Sequence, residues 1–281
     1  MEDNFIVLNI GHAQTVHKWT NEDISSPFVR LFYVKSGRAT IHLNGKTIDI
    51  SAGHMYMIPG YTPHAYVCEP GFDFYYLFIY QKELDGSNFF DRFDFPVEVK
   101  ANEGARLLFE HYCMLYPQLN LPSRNSVAFL YHMSYFDYLK EYMKMASYER
   151  LQLHGMVEIL LSYFVKHAHP KAAFNDKRLT TVLDMIQQNI NKRISIEDLA
   201  ANACLTKSYL IRTFRQTLGI SPLQYINHKK IQHAQTLLLG SEMSIQEIAQ
   251  AVGMDDSSYF IRLFKKQIGF TPQEYRKRLI G

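Results

Sequence analysis

The chain has 281 residues, 30 Lys and Arg against 27 Asp and Glu, and a hydrophobic fraction of 47%. That length suggests about two domains with cores of their own, and the composition excludes disorder over most of the chain. The net charge of +3 is an average over two unlike parts: residues 1–175 carry 15 basic and 18 acidic side chains, residues 176–281 carry 15 and 9.

No run reaches the roughly 18 uncharged apolar residues of a membrane helix, since Glu158 interrupts even Met156 to Val165. The acidic start MEDNFIVLNI does not read as a secretory leader. Three scattered cysteines, Cys68, Cys113 and Cys204, form no CxxC pair and point to buried structural thiols in a reducing cytoplasm.

Residues 5–80 read as strands, with β-rich runs at 28–35, 39–43, 46–50, 54–59 and 72–80, separated by Gly-containing turns. Asn44-Gly45 between IHL and KTI predicts a two-residue hairpin. Short strands with frequent turns suggest an antiparallel barrel or sandwich. His42, His54 and His64 form no HxH pair, so no metal site is expected there and no cofactor is assigned. Of the 39 aromatic residues, 31 precede residue 176, a density that serves core packing or a pocket equally well.

From about Ala101 to His167 the pattern turns helical, over Leu107 to Phe109, Tyr131 to Met145 and Leu151 to Val165. Leu153, Val157, Leu160, Leu161 and Phe164 recur at spacings of three and four. This stripe either packs onto the strands or pairs two chains. The stretch KHAHPKAAFND reads as a linker, with its core at 171–177.

The basic part contains a repeat of about 50 residues: Ile194 to Tyr225 and Met243 to Tyr275 share Ser, Ile, Ala, Tyr, Arg, Phe, Gly and Pro at matched positions, with one extra residue in the second turn. Each copy opens on a capping box, Ser195-x-x-Asp198 or Ser244-x-x-Glu247. A short helix follows, then a break at Cys204-Leu205-Thr206 or Gly253-Met254-Asp255-Asp256. A second helix buries Leu210 and Phe214, or Phe260 and Phe264. Gly219 and Gly269 suit left-handed C-terminal caps, and Ser221-Pro222 and Thr271-Pro272 restart the chain with Gln224 and Glu274 completing further boxes. Two short helices joined by a tight turn, the second bearing cations, describe a helix-turn-helix.

On the second helices, Lys207, Ser208, Ile211, Arg212 and Arg215, and in the repeat Ser257, Ser258, Ile261, Arg262 and Lys265, project away from the apolar face. Arg bridges guanine O6 and N7, Ser bonds to a base or phosphate, and Ile packs on a thymine methyl, which makes these ten the candidate DNA-binding residues. The bland alternatives are core isoleucines and solvated arginines. Arg178, Lys192, Arg193, Lys229, Lys230, Lys266, Arg276, Lys277 and Arg278 are candidates for phosphate contact or plain solvation.

The segment from about Arg178 to Arg278, and above all VGMDDSSYFIRLFKKQIGFTPQEYRKR (252–278), resembles the DNA-binding domain of AraC/XylS-type transcription regulators. Cys204 stands where the first turn of that family often has Gly, and Ile211 and Ile261 stand where small polar residues are common. The turn SAGHMYMIPGYTPHAY resembles the cupin-like sensor domain of the same regulators, with His54 in place of the usual Asp. The resemblance implies an α+β, two-domain chain: a cupin-like effector-binding β-barrel at 1–100, a trailing helical packing or dimerisation segment at 101–170, the linker at 171–177, and an all-α domain with two helix-turn-helix motifs at 178–281. One long helix, about Pro222 to Leu239, joins the motifs, with Ile226, Ile231, Ala234 and Leu238 as its buried stripe.

It further implies a non-enzymatic cytoplasmic regulator, in that family an activator more often than a repressor. Its partners are double-stranded DNA, a small-molecule effector such as a sugar or related metabolite, RNA polymerase and a second copy of the chain; no membrane is implied. By strand alternation and resemblance, Tyr33, His64, Tyr66 and Tyr76 are the candidate effector-binding residues, with core packing the alternative for each. Two rival readings are a cupin-type metalloenzyme with a DNA-binding appendage and a ligand-independent dimeric DNA-binding protein.

Overall fold

The computed structural model describes residues 5–24, 28–43, 45–81, 89–121, 135–171, 177–218 and 220–280. They form two compact units. One comprises residues 1–82 and 95–168, the other 83–94 and 169–281.

The first unit is built on two antiparallel sheets. Strands β1 (Phe5–Gln14), β3 (Val29–Ser36), β6 (His54–Ile58), β8 (Asp73–Gln81) and β10 (Glu98–Lys100) form one sheet in the order β1-β8-β3-β6-β10. Strands β2 (Trp19–Ile24), β4 (Ala39–Leu43), β5 (Lys46–Ile50) and β7 (His64–Cys68) form the other, in the order β2-β7-β4-β5. The strands therefore make a sandwich of two sheets and not one closed ring. Among the described residues no strand of one sheet pairs with a strand of the other, while Phe32 of β3 and Tyr66 of β7 meet edge to face across the gap at 5.7 Å.

Leu43 pairs with Lys46, so β4 and β5 are joined by two residues, with Gly45 at φ +74°; Asn44 lies outside the described residues. Helices α2 (Glu103–Leu115), α3 (Tyr135–Lys144) and α4 (Ser147–Val165) follow and pack along β1. Asn102 caps α2 through its side-chain oxygen. The apolar stripe of α4, Leu153, Val157, Leu160, Leu161 and Phe164, is buried together with Met156 inside this unit. Tyr131 to Ser134, expected to be helical, lie outside the described residues.

The second unit begins with α1 (Phe89–Arg92) and β9 (Phe93–Asp94), which pairs with β11 (His169–Pro170). Of the expected linker, residues 172–176 lie outside the described residues. Then come α5 (Lys177–Gln188), α6 (Ile196–Asn202), α7 (Lys207–Leu218), α8 (Pro222–Gly240), α9 (Ile245–Ala251), α10 (Ser257–Ile268) and α11 (Pro272–Ile280). The expected stripe of the long helix, Ile226, Ile231, Ala234 and Leu238, is fully buried in α8.

The capping chemistry read from the repeat forms at three sites out of four. Ser221 and Gln224, Ser244 and Glu247, and Thr271 and Glu274 each exchange reciprocal bonds. At Ser195 the side chain accepts from Asp198 N–H without the return bond that makes a box. Aspartate is one methylene shorter than glutamate, which accounts for the difference.

Candidate nucleic-acid interface and inter-sheet site

The two motifs are the same local structure built twice. In the first, α5, α6 and α7 close a core of Leu179, Val182, Leu183, Ile186, Leu199, Ala200, Leu210 and Phe214. In the second, Ile248, Ala249, Phe260 and Phe264 occupy the equivalent buried positions. After α6, Leu205 N–H reaches back to Ala200 O at 2.8 Å; after α9, Met254 N–H reaches Ala249 O at the same distance. The extra residue of the second copy is therefore placed after Met254, and Asp256 uses it to cap α10, accepting from Ser258 and Tyr259 N–H at 2.9 and 3.0 Å. Thr206 does the same for Tyr209 N–H at 3.2 Å in the first copy.

Both turns demand a left-handed residue. Gly253 supplies it at φ +63°, but the first copy uses Cys204 at φ +54°. A residue with a Cβ is strained there by about 1 kcal/mol or more. Cys204→Gly is expected to stabilise the second unit by about 1 kcal/mol, measured by urea unfolding followed by helical circular dichroism; an unchanged midpoint would show that the turn relaxes around Cys204.

The candidate DNA-binding side chains lie along the outer face of α7 and α10. Lys207, Ser208, Arg212 and Arg215 are exposed and Ile211 is half-buried; Ser258, Ile261, Arg262 and Lys265 are exposed and Ser257 is half-buried. Ile261 is 36% exposed, so it is not a core residue. Arg212 rests on the ring of Tyr209 at 5.3 Å, and Arg178 of α5 lies over the same ring and donates to its hydroxyl at 3.3 Å. In the second copy Asn227 of α8 donates to Tyr259 at 3.3 Å. These tyrosines tie each recognition helix to the helix two before it, a role the repeat aligned but did not reveal. Lys207 pairs with Glu197 at 2.5 Å, an exposed pair of little energetic weight that a phosphate can replace.

Three cations expected at phosphates or in solvent are placed otherwise. Lys229 is only 9% exposed and its ammonium lies 5.9 Å from the Tyr225 ring centroid. Lys230 is buried among backbone carbonyls. Arg276 donates to Leu238 O at 3.2 Å and Met243 O at 2.7 Å, closing the end of α8. Arg178, Lys192, Arg193, Lys266 and Lys277 remain exposed, and the Arg278 side chain lies outside the described residues.

Between the two sheets, His64, Tyr66 and Tyr76 are brought together with Phe32, Phe74 and Phe78, but Tyr33 is not. Tyr33 lies one residue out of phase, on the opposite face of β3, against Phe109 of α2 at 6.1 Å. Tyr76 donates to Asn120 Oδ1 and accepts from Leu121 N–H at 3.0 Å, so its hydroxyl is committed to the 3-10 turn region after Pro117–Leu119. Arg30, which nothing in the strand pattern singles out, joins them: it is 3% exposed, and its guanidinium lies 4.8 Å from the Phe28 ring centroid and 5.3 Å from that of Phe78.

Arg30 Nη1 lies 3.5 Å from His64 Nε2, and His64 Nδ1 lies 2.7 Å from Thr62 O. Nδ1 therefore carries the proton and Nε2 accepts. Burial, and then the charge of Arg30, push the His64 imidazole down to about 3. The Tyr66 hydroxyl is buried with no hydrogen-bond partner among the described residues, and burial raises its pKa. Trp19, the sole tryptophan, stacks on the Tyr66 ring at 6.1 Å.

A histidine held neutral by the fold binds fewer protons folded than unfolded between about pH 3 and 6.5, so stability rises with pH across that window. Acidification from pH 7 to pH 5 is expected to cost this unit on the order of 2 kcal/mol through His64. Urea unfolding followed by Trp19 fluorescence reads it, and His64→Gln is expected to flatten the slope.

His42 of β4 meets Thr47 of β5, while His54 meets Ala52 O and His64 meets Thr62 O, so the three histidines sit on three different strands. Among the described residues no group of three or more His, Cys, Asp or Glu is gathered to hold a metal ion.

Residues 199–278 match the family model described as a helix-turn-helix domain, and residues 13–80 match the one described as a cupin domain. The chain thus carries a helix-turn-helix domain and a cupin domain, the two parts in which it is similar to AraC/XylS-type regulators. The MmsAB operon regulatory protein of Pseudomonas aeruginosa is 38% identical over 94 residues, which is 34% of this chain and 31% of that protein. The HTH-type transcriptional activator RhaR of Yersinia pseudotuberculosis is 33% identical over 118 residues, 42% of this chain and 40% of RhaR. The chain thus spans about a third to two fifths of the length of these relatives. Among solved structures, ToxT from Vibrio cholerae covers all of both chains at a TM-score of 0.57 and 13% identity, and its unsaturated fatty acid-bound form covers 99% of this chain and 98% of its own at 0.53 and 12%. At that identity the likeness is one of fold.

Proposed function

We propose that this AraC/XylS-type chain is a sequence-specific, double-stranded-DNA-binding transcription regulator whose N-terminal sandwich holds a small-molecule effector. The observation that carries the reading is the repeated recognition helix: α7 and α10, capped and buried in the same way, expose Arg212 with Arg215 and Arg262 with Lys265 at matched positions of one compact unit. The excess of cations after residue 175 supplies the phosphate attraction that base readout needs.

Arg212→Ala or Arg262→Ala is expected to weaken binding to a DNA selected from random sequence by roughly 1 to 3 kcal/mol and to relax preference at one short stretch of the site. Titration by fluorescence anisotropy at fixed salt measures it. Uniform weakening across all sequences would reassign the residue to phosphate contact.

The effector reading rests on the inter-sheet polar group: a buried guanidinium, a neutral imidazole and an unpartnered buried hydroxyl suit a ligand with an anionic or hydrogen-bond-accepting end among aromatic walls. The fatty acid named in the ToxT structure makes carboxylated lipids worth testing beside sugars. Trp19 quenching and a raised melting temperature would register either. The exposed apolar residues Tyr148, Leu151 and Ile159 on α4, away from its buried stripe, support a homodimer through that helix. Activation through RNA polymerase and a cytoplasmic setting complete the proposal; no described helix is long and apolar enough to cross a membrane.

A further inference from the structure

One ammonium stands where the two helix-turn-helix units meet. Lys230, on the joining helix α8, is 4% exposed and donates to Lys192 O at 2.7 Å, to Gly253 O at 3.0 Å and to Val252 O. Lys192 belongs to the turn leading into α6, in the first motif. Val252 and Gly253 are the cap and turn of α9, in the second. The two turns also touch directly: a Cβ on Gly253 would lie 2.5 Å from the Lys192 carbonyl carbon and oxygen.

Three N–H donors therefore meet three carbonyls, two of them at a helix C-terminus, where the helix dipole favours a cation. An apolar side chain would fill this space but leave those carbonyls without this donor. The arrangement fixes direction as well as contact, because all three bonds hold only at one relative placement of the turns. The neighbouring titratable groups are Asp255 and His233: burial pushes the Lys230 ammonium down to about 8 against the opposing charge of Asp255, and burial, then the charge of Lys230, lowers the His233 pKa.

We infer that Lys230 is a positioning residue for DNA recognition: it sets the separation and rotation of α7 and α10, and thereby the number of base pairs between the two segments that one chain reads. The inference rests on the DNA-reading function proposed above. With a lever arm of about 17 Å, half a helical turn of DNA, a rotation of roughly 10° at the joint moves a recognition helix by about 3 Å, close to one base-pair step.

The test uses the full chain. A site is first selected from random DNA, and a panel is then made in which the spacer between the two contacted segments is one or two base pairs shorter or longer. Wild type is expected to lose about tenfold or more in affinity for a one-base-pair change. Lys230→Met is expected to lose less than threefold on the same change, while keeping its base preference within each segment. A folded Lys230→Met that retains the tenfold discrimination, or that weakens every spacing equally, overturns the inference. If Lys230→Met does not fold, Lys230→Gln, which keeps an amide donor, is read on the same panel; failure of both to fold makes Lys230 a folding staple only and also overturns it. A wild type that selects no site, or ignores spacing, sinks the DNA-reading proposal itself, which separates the two failures.

Discussion

Gly253→Ala is expected to destabilise the C-terminal unit by about 3 kcal/mol. Two costs add. The residue sits at φ +63°, where an L side chain is disfavoured by about 1 to 2 kcal/mol. The new methyl would also stand 2.5 Å from the Lys192 carbonyl and 2.7 Å from Lys230 Nζ, and the backbone atoms can yield only by opening the turn. Urea unfolding monitored by helical circular dichroism measures the loss. Gly269→Ala is the matched control: it has φ +87° but nothing within 4 Å of its Cβ, so only the conformational cost of about 1 kcal/mol applies. Equal losses at the two positions would mean that the two turns are not in contact.

Gly11→Ala is expected to cost the N-terminal unit a similar amount, about 3 kcal/mol, for a reason of packing alone. Gly11 pairs with Tyr76 across β1 and β8, and a Cβ there would fall 2.2 Å from the Tyr76 hydroxyl and 2.4 Å from Asn120 Oδ1. A strand carries glycine where something must pass close over the backbone, and here it is the buried phenol on its way to Asn120. Relief requires breaking the bonds from Tyr76 to Asn120 and Leu121, which leaves buried polar atoms unmatched. Trp19 fluorescence during urea unfolding follows this unit without interference from the other, because the chain has one tryptophan. A loss under about 1 kcal/mol would show that the 3-10 turn region moves freely away from the sheet.

The C-terminal half was legible because its information is local. Capping pairs three residues apart, apolar pairs four apart and a repeat of both leave little freedom of interpretation, and α8 buries the stripe its spacing predicts. What escaped was the fate of long cations. Lys230 and Arg276 look alike in sequence to Arg193 or Lys266, and only the approach of distant carbonyls distinguishes them. The extra residue in the second turn was visible, but that it moves Asp256 into a capping position was not.

In the N-terminal half the strands and the two-residue hairpin followed from alternation and turn residues, while the phase of β3 did not. Val29 to Val34 are buried on both faces, so sequence offers no polar side to set which face is which, and Tyr33 was placed inward where Phe32 and Arg30 stand. The apolar stripe of α4 was found, but sequence alone left open whether it serves the unit or a partner; it is consumed within the unit.

The central claim is that each chain presents two recognition helices on one module. A hydroxyl-radical footprint of the full chain on its selected DNA tests it most directly. Two protected segments per chain, about 10 base pairs apart on one face of the duplex, with Arg212→Ala erasing one and Arg262→Ala the other, is the expected pattern. A single protected segment per chain, unaffected by one of the two substitutions, would contradict it.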